Sequence, residues 1–284
     1  MSTSPVTSHT QPWERPARPP NRPRLDIEPV THTPRRIPLR RVVTVELRKS
    51  FDTRAGLWLL ASIGIAAVLT TGAVIAWAPQ TEFTYSRFTL AIGVPMTVIL
   101  PIIAVLSVTA EWSQRTGLTT FTLLPHRGRV LLAKGIGAVL VAVAATGVAF
   151  TAGALGTIVG AAMAGIDTVW DQNLIDVVYF ALGNILLILV GFTLGALLRN
   201  SPGAIVAYMV YAFVVPGLLA FLAFNQAWFR DARGWLDPKY NQDLLLQAGD
   251  LTGEQWTQLA TTTAVWLALP LTVAVLNLLR AEVK

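Results

Sequence analysis

After residue 56 the chain alternates between long apolar runs and short polar connections. Six runs stand out: Leu57–Trp77, Phe88–Thr109, Gly135–Ala162, Val177–Leu198, Ala204–Phe224 and Ala260–Leu279. A helix rising about 1.5 Å per residue needs about 20 mostly apolar residues to cross about 30 Å of hydrocarbon. Every run meets that length, and none contains Lys, Arg, Asp or Glu. The runs are apolar all round, which excludes a soluble α-domain with a charged face on each helix. They are continuous rather than alternating, which excludes a β-barrel. The pattern predicts an all-α integral membrane protein with six transmembrane helices over residues 57–284.

The segment ahead of the first run has a different period. Leu39, Val43, Leu47 and Phe51 recur every four residues, while Arg40, Arg41, Arg48, Lys49 and Asp52 fall mostly off that line. This predicts an amphipathic helix over 37–56 with a basic face, lying along the membrane surface, with Gly56 placed to break it from the first span. Residues 1–36 hold eight of the 17 prolines. A stretch such as Arg15-Pro16-Ala17-Arg18-Pro19-Pro20-Asn21-Arg22-Pro23 can neither form helix nor bury a core, so a disordered Pro/Arg-rich tail is expected.

Composition agrees with a membrane location: 53% of residues are hydrophobic and 13% charged, against about 25% charged in soluble domains. Taken alone, a net charge of +6 would suggest a nucleic-acid partner. Its distribution points to the bilayer instead. The termini, the 110–134 connection and the 199–203 turn hold 18 Lys/Arg, and the other connections hold 4. By the positive-inside rule the termini are cytoplasmic and the protein is a multi-pass protein of the cell membrane, with no nucleic acid as partner. There is no cysteine, hence no disulfide, thiol catalysis or Cys-based metal site. The first run is too long for a signal peptide and is followed by further spans, so it is expected to stay as an anchor.

Two connections carry the candidate chemistry. In the 110–134 connection, Gly117 and Pro125 bracket a short amphipathic piece flanked by Arg115, Arg127, Arg129 and Lys134. It reads either as a cytoplasmic helix able to carry force to a partner or as an ordinary basic loop. The 225–259 connection holds Trp228, Phe229, Trp235 and Tyr240, then Thr252-Gly253-Glu254-Gln255, a capping box leading into the last span. Its aromatic helices either dip into the outer leaflet and shape an exit or cap the bundle. Trp58, Trp77, Trp112 and Trp170 fall at predicted span ends, as interfacial aromatics do.

Inside the spans, Pro95, Pro101, Pro216 and Pro270 are expected to kink or locally unwind their helices. Gly156-x-x-x-Gly160 and Gly191-x-x-x-Gly195 permit close helix approach. Asn184 is expected to hydrogen-bond a neighbouring helix, with a substrate contact as the other reading. The lack of charge inside the runs argues against an ion-coupled carrier, which usually needs buried ionisable groups. No Gly-x-x-x-x-Gly-Lys-Ser/Thr loop occurs, so an ATP-driven process would need its nucleotide site on another chain. The three histidines (His9, His32 and His126) form no pair placed for metal or base work. No catalytic, cofactor or metal site is expected, and the chain is not expected to be an enzyme.

Val45-Glu46-Leu47-Arg48-Lys49 with Asp52-Thr53-Arg54 resembles the segment before span 1 in ABC-2-type ABC transporter permeases, particularly actinobacterial ones. Glu111 and Arg115-Thr116-Gly117, then Leu123-Leu124-Pro125 with Arg127, Arg129 and Ala133-Lys134, resemble the family's loop between spans 2 and 3. Trp235-Leu236-Asp237-Pro238, Leu251 to Trp256 and the terminal Leu279 to Lys284 are also similar. The resemblance covers residues 40–284. It implies the permease subunit of an exporter, paired with a second permease protomer (homodimer or heterodimer) above two ATPase subunits that bind ATP-Mg. The substrate would be an amphipathic or hydrophobic compound such as a drug, antibiotic, peptide or lipid. It further implies that 37–56 is a connecting helix and 113–125 a coupling helix. Coupling to the ATPase then involves Glu46, Arg48, Lys49, Glu111, Arg115, Thr116, Gly117, Phe121, Leu124, Pro125, Arg127, Arg129 and Lys134. Pro95, Pro101, Asn184, Pro216, Trp228 and Trp235 are candidates for the path and its gate. The other readings are an ion-coupled secondary transporter and a non-transporting membrane assembly or sensor protein.

Overall fold

A computed structural model describes residues 38–52, 54–113, 127–246 and 251–280, which belong to one compact unit, Ile37–Lys284. The tail 1–36 and the core of the expected coupling segment, 114–126, lie outside the described residues. The elements are α1 (Leu39–Asp52), α2 (Arg54–Trp77), α3 (Tyr85–Ser113), α4 (Arg127–Ala164), α5 (Leu174–Leu198), α6 (Ser201–Asn225), α7 (Ala227–Leu236), α8 (Pro238–Leu244) and α9 (Gly253–Arg280). Among the described residues there is no strand, only a single bridge joining Thr84 and Val169.

Helices α2, α3, α4, α5, α6 and α9 are long and apolar enough to cross a membrane, and each contains one of the six apolar runs. α5, α6 and α9 begin ahead of their runs because side-chain caps at Asn173, Asn200 and Thr252 set where they start. α9 starts seven residues before Ala260. There the Thr252 N–H donates to Gln255 Oε1 at 2.8 Å and the Gln255 N–H donates to Thr252 Oγ1 at 3.3 Å, the expected capping box. At the other junction α2 begins at Arg54, so Gly56 lies in its first turn and is not the break between the two helices.

The core is built around α3 and α5. Ile92, Met96, Leu100, Ala104 and Val108 of α3 bury against Ala142, Ala145 and Ala149 of α4 and Ile188, Phe192 and Ala196 of α5. The glycine pairs explain the closeness. A Cβ on Gly191 would fall 2.5 Å from the Pro101 oxygen and 2.6 Å from its Cα, and one on Gly195 would fall 3.2 Å from the Val105 Cα. Gly156 and Gly160 receive the Phe88 ring, at 2.8 and 3.0 Å from where a Cβ would lie. Small residues thus admit a neighbouring backbone or ring.

The prolines divide into two behaviours. Pro95 and Pro101 sit inside an unbroken α3. Pro101 cannot donate to the Thr97 carbonyl four residues back, and that carbonyl instead accepts the Tyr208 hydroxyl from α6. Pro216 and Pro270 each follow a stretch of π-helix, Val210–Val214 and Ala264–Ala268. In both, the carbonyl that the proline leaves free, on Ala212 and Trp266, is central in the widened turn. Of the kinking or local unwinding expected at the four prolines, unwinding occurs beside Pro216 and Pro270.

Candidate functional site

At the basic end, α1 is held to the bundle by a buried ion pair. Glu46 of α1 and Lys134 of α4 are 7% and 9% exposed, and Glu46 Oε2 lies 2.7 Å from Lys134 Nζ. Glu46 Oε1 accepts from Lys49 Nζ at 2.9 Å, and Lys134 Nζ donates to the Ser107 carbonyl of α3 at 3.0 Å. One carboxylate thus ties α1 to α4, and the same ammonium reaches α3. Burial by itself pushes the Glu46 carboxyl up, but Lys134 and then Lys49 outweigh it and hold the group below its usual range. Around the pair, Val42 is buried, and Leu47 lies against Gly137, 3.5 Å from where a Cβ would be. The buried face of α1 is therefore turned from the simple Leu39–Val43–Leu47 line and takes Glu46 inside with Val42.

This places the sequence-derived coupling residues differently from one another. Glu46 and Lys134 come together and face inward. Arg48 and Lys49 are on the exposed side of α1, and Arg129 is half-buried in the first turn of α4. Glu111 lies in the last turns of α3 and Arg127 starts α4. Arg115, Thr116, Gly117, Phe121, Leu124 and Pro125 lie outside the described residues. Ser107 has no sequence signature, because it contributes a backbone carbonyl.

At the far end, α7 and α8 form a hairpin that folds back along the spans instead of standing beyond them. Three contacts fix its level. Trp266 Nε1 donates to the Leu236 carbonyl at 3.2 Å. Gly183 of α5 abuts Leu245 and Leu246, at 3.9 and 3.5 Å from its Cβ position. Gln242 Nε2 donates to the Tyr211 hydroxyl at 3.4 Å. Trp266 and Gly183 are each six residues inside their apolar runs, about 9 Å along a helix.

The corner of the hairpin is polar and closed. Asp237 is fully buried. Its Oδ1 accepts the Lys239 and Tyr240 N–H groups at 3.1 and 3.0 Å, and its Oδ2 accepts Arg233 Nε at 3.1 Å. The Arg233 guanidinium also lies 4.7 Å over the Tyr240 ring. Asn241, 1% exposed, donates to the Gly234 carbonyl at 2.5 Å and to Thr262 Oγ1 of α9 at 3.2 Å. The side-chain oxygens of Asn241 and Gln242 are buried without a partner. The available signal was Asp237-Pro238, an N-cap followed by proline at the first helical position, with Arg233 one turn earlier. The apolar runs contain no charge, yet this hairpin brings an ion pair to their level.

Of the proposed path residues, Asn184 is buried and donates to Thr146 Oγ1 of α4 at 3.0 Å, the expected interhelical bond. Pro101 packs on Gly191. Pro216 follows the π-helical turn of α6, and Tyr211 in that turn meets Trp266 of the other π turn at 6.4 Å between ring centroids. Trp228 and Trp235 are exposed on α7, one heptad apart. Among the described residues no group of three or more acidic or histidine side chains could hold a metal ion. The arrangement clamps helices at both ends, and among the described residues no nucleophile is gathered with a base. Compared with models of known protein families and with curated proteins, the chain matches none.

Proposed function

We propose that this chain is the membrane-spanning permease subunit of an ATP-driven ABC exporter, with its basic end in the cytoplasm. A partner ATPase subunit binds and hydrolyses ATP-Mg. The observation that carries the reading is the buried Glu46–Lys134 pair with its bond to Ser107. It fixes α1 to the ends of α3 and α4, the two helices that flank the 114–126 segment. Force applied at that segment by a docked ATPase passes into helices already braced as a unit. In this reading α1 is the amphipathic connecting helix, residues 113–125 form the coupling helix, and a second protomer completes a path for an amphipathic or hydrophobic compound.

The ion-coupled carrier is disfavoured for a reason different from the bare absence of charge. Asp237 does lie at the level of the spans, but Arg233 and two backbone N–H groups already occupy its oxygens. A coupling ion would have to displace a buried partner.

Co-expression with an ATPase encoded in a neighbouring reading frame, if one carries a phosphate-binding loop, tests the proposal. Affinity-purified chain is expected to carry that ATPase stoichiometrically, and Glu111→Ala with Arg115→Ala is expected to reduce co-purification and drug-stimulated ATP hydrolysis at least tenfold. A stable, transport-competent chain without any ATPase, or unchanged coupling in the double variant, refutes it.

A further inference from the structure

We infer that the outward face of α1, Arg41 and Arg48 with Val45 between them, is a binding surface for the phosphates of anionic phospholipid headgroups. Two registers carry this. The first is rotational. The Glu46–Lys134 pair and Leu47 against Gly137 fix which side of α1 meets the bundle. Arg41, Val45 and Arg48 are all exposed on the other side. Seven residues at 100° each bring Arg48 to within about 20° of Arg41, some 10 Å along the helix. That is a basic pair with an apolar residue between, the composition of a helix lying at a lipid interface.

The second register is depth. Gly137, which receives Leu47, is two residues inside the third apolar run. Gly56, the first residue of the first span, follows α1 by four residues. α1 therefore lies at the edge of the apolar section and not beyond it. α4 begins ten residues earlier than Gly137, at Arg127, about 15 Å further out along its axis. α3 runs six residues past Ser107 to Ser113, about 9 Å. A protein docking on this end meets those projecting helix ends first, while α1 stays recessed at the level of headgroups. Trp58, exposed on the first turns of α2, sits where interfacial indoles do. Long arginine stems let the guanidinium reach phosphate while Val45 stays in the apolar edge. The inference does not require the ATPase reading, but it takes Arg48, which the family resemblance assigns to coupling, as a lipid contact.

The test uses the full chain in detergent with added dioleoyl-phosphatidylglycerol or dioleoyl-phosphatidylcholine, read by native mass spectrometry of retained lipid and by the thermal midpoint. Phosphatidylglycerol is expected to bind and to raise the midpoint more than phosphatidylcholine, with the difference falling as salt rises. Each basic residue near an anionic surface contributes about fivefold in affinity, so Arg41→Gln with Arg48→Gln is expected to lose about thirtyfold. Arg41→Lys with Arg48→Lys is expected to keep most of the binding, and Arg87→Gln at the far end all of it. If the double glutamine variant does not fold, the single variants carry the test at about fivefold each. Equal binding of both lipids, unchanged phosphatidylglycerol binding in the glutamine variants, or equal protection by inorganic phosphate overturns the inference. So does loss of a co-purifying protein with lipid binding intact, since the face would then be a protein contact.

Discussion

Breaking the Glu46–Lys134 pair should cost far more than deleting it whole. At 2.7 Å and an effective dielectric of about 20, the two charges attract by about 6 kcal/mol. Desolvation of two ions that are each less than a tenth exposed costs several kcal/mol apiece and offsets most of this. The intact pair is thus close to neutral against an apolar substitute, while a single buried charge left behind is penalised by about 3–5 kcal/mol. Lys49 stays beside Glu46 and the Ser107 carbonyl beside Lys134, so the lower part of that range applies. Lys134→Met and Glu46→Gln are each expected to destabilise by about 3 kcal/mol, and Glu46→Leu with Lys134→Met by less than about 1 kcal/mol. At about 2–4 °C per kcal/mol for a unit of this size, the single variants should melt roughly 6–12 °C lower in tryptophan-monitored unfolding in mild detergent. The pH dependence has a definite sign. The folded Glu46 carboxyl lies below its usual range, so its contribution is complete above about pH 4.3 and is lost as pH falls through the lower folded value. The gap between wild type and Glu46→Gln should therefore close on acidification and stay constant from pH 5 to 8. Single variants within about 0.5 kcal/mol of wild type, or a double variant that sums the two singles, would refute the argument.

Two further perturbations test the packing. Gly191→Ala places a methyl against the Pro101 backbone, which cannot give way as a side-chain tip can. It should cost about 1–3 kcal/mol by overpacking, whereas Gly64→Ala, with nothing within 4 Å, should be neutral or gain about 0.5–1 kcal/mol; equal thermal midpoints for the two would sink the account. Asp237→Ala removes a helix cap and strands Arg233 in the hairpin corner. It should cost about 3 kcal/mol and open 226–252 to limited proteolysis, and a protease-resistant variant would show that the corner is not held this way.

What could be read from the sequence is what depends on local pattern. The apolar runs give the six long helices, Thr252 and Gln255 give a helix start, and the paired glycines give the close approaches of α5 to α3 and of α4 to Phe88. What escaped depends on partners far along the chain. Glu46 lies off the apolar stripe of α1 and reads as surface. It turns inward only because Lys134, 88 residues later, neutralises it. The 225–259 connection reads as aromatic helices that either dip into the outer leaflet or cap the bundle, and nothing local to Arg233 and Asp237 says that they pair at the level of the apolar section. The fold pairs them with each other and with backbone N–H groups, and a satisfied pair can be sunk where a lone charge cannot. The prolines separate by partner: the Thr97 carbonyl finds a hydroxyl on another helix and the α-helix persists, whereas Pro216 and Pro270 each follow a π-helical turn centred on the residue whose carbonyl they leave free.

The two ends of the molecule share one element. α3 carries the Ser107 carbonyl that receives Lys134 and, ten residues back, the Thr97 carbonyl that receives Tyr208. The Tyr208 ring lies 6.2 Å from that of Tyr211, and Tyr211 receives Gln242 of the sunken hairpin. Between these points α3 has little freedom, since the Gly191 and Gly195 approach leaves no room for its backbone to slide over α5. A displacement of the clamp relative to the hairpin must then be taken up outside that contact, and the π-helical turns of α6 and α9 are the segments built with a different hydrogen-bond register. Local π adjustments of this kind re-satisfy backbone groups that a proline frees inside the apolar phase. If the chain is the exporter subunit proposed above, force entering at the clamp would reach the π-helical turns beside the hairpin, the segments of α6 and α9 whose register is not fixed as α-helix.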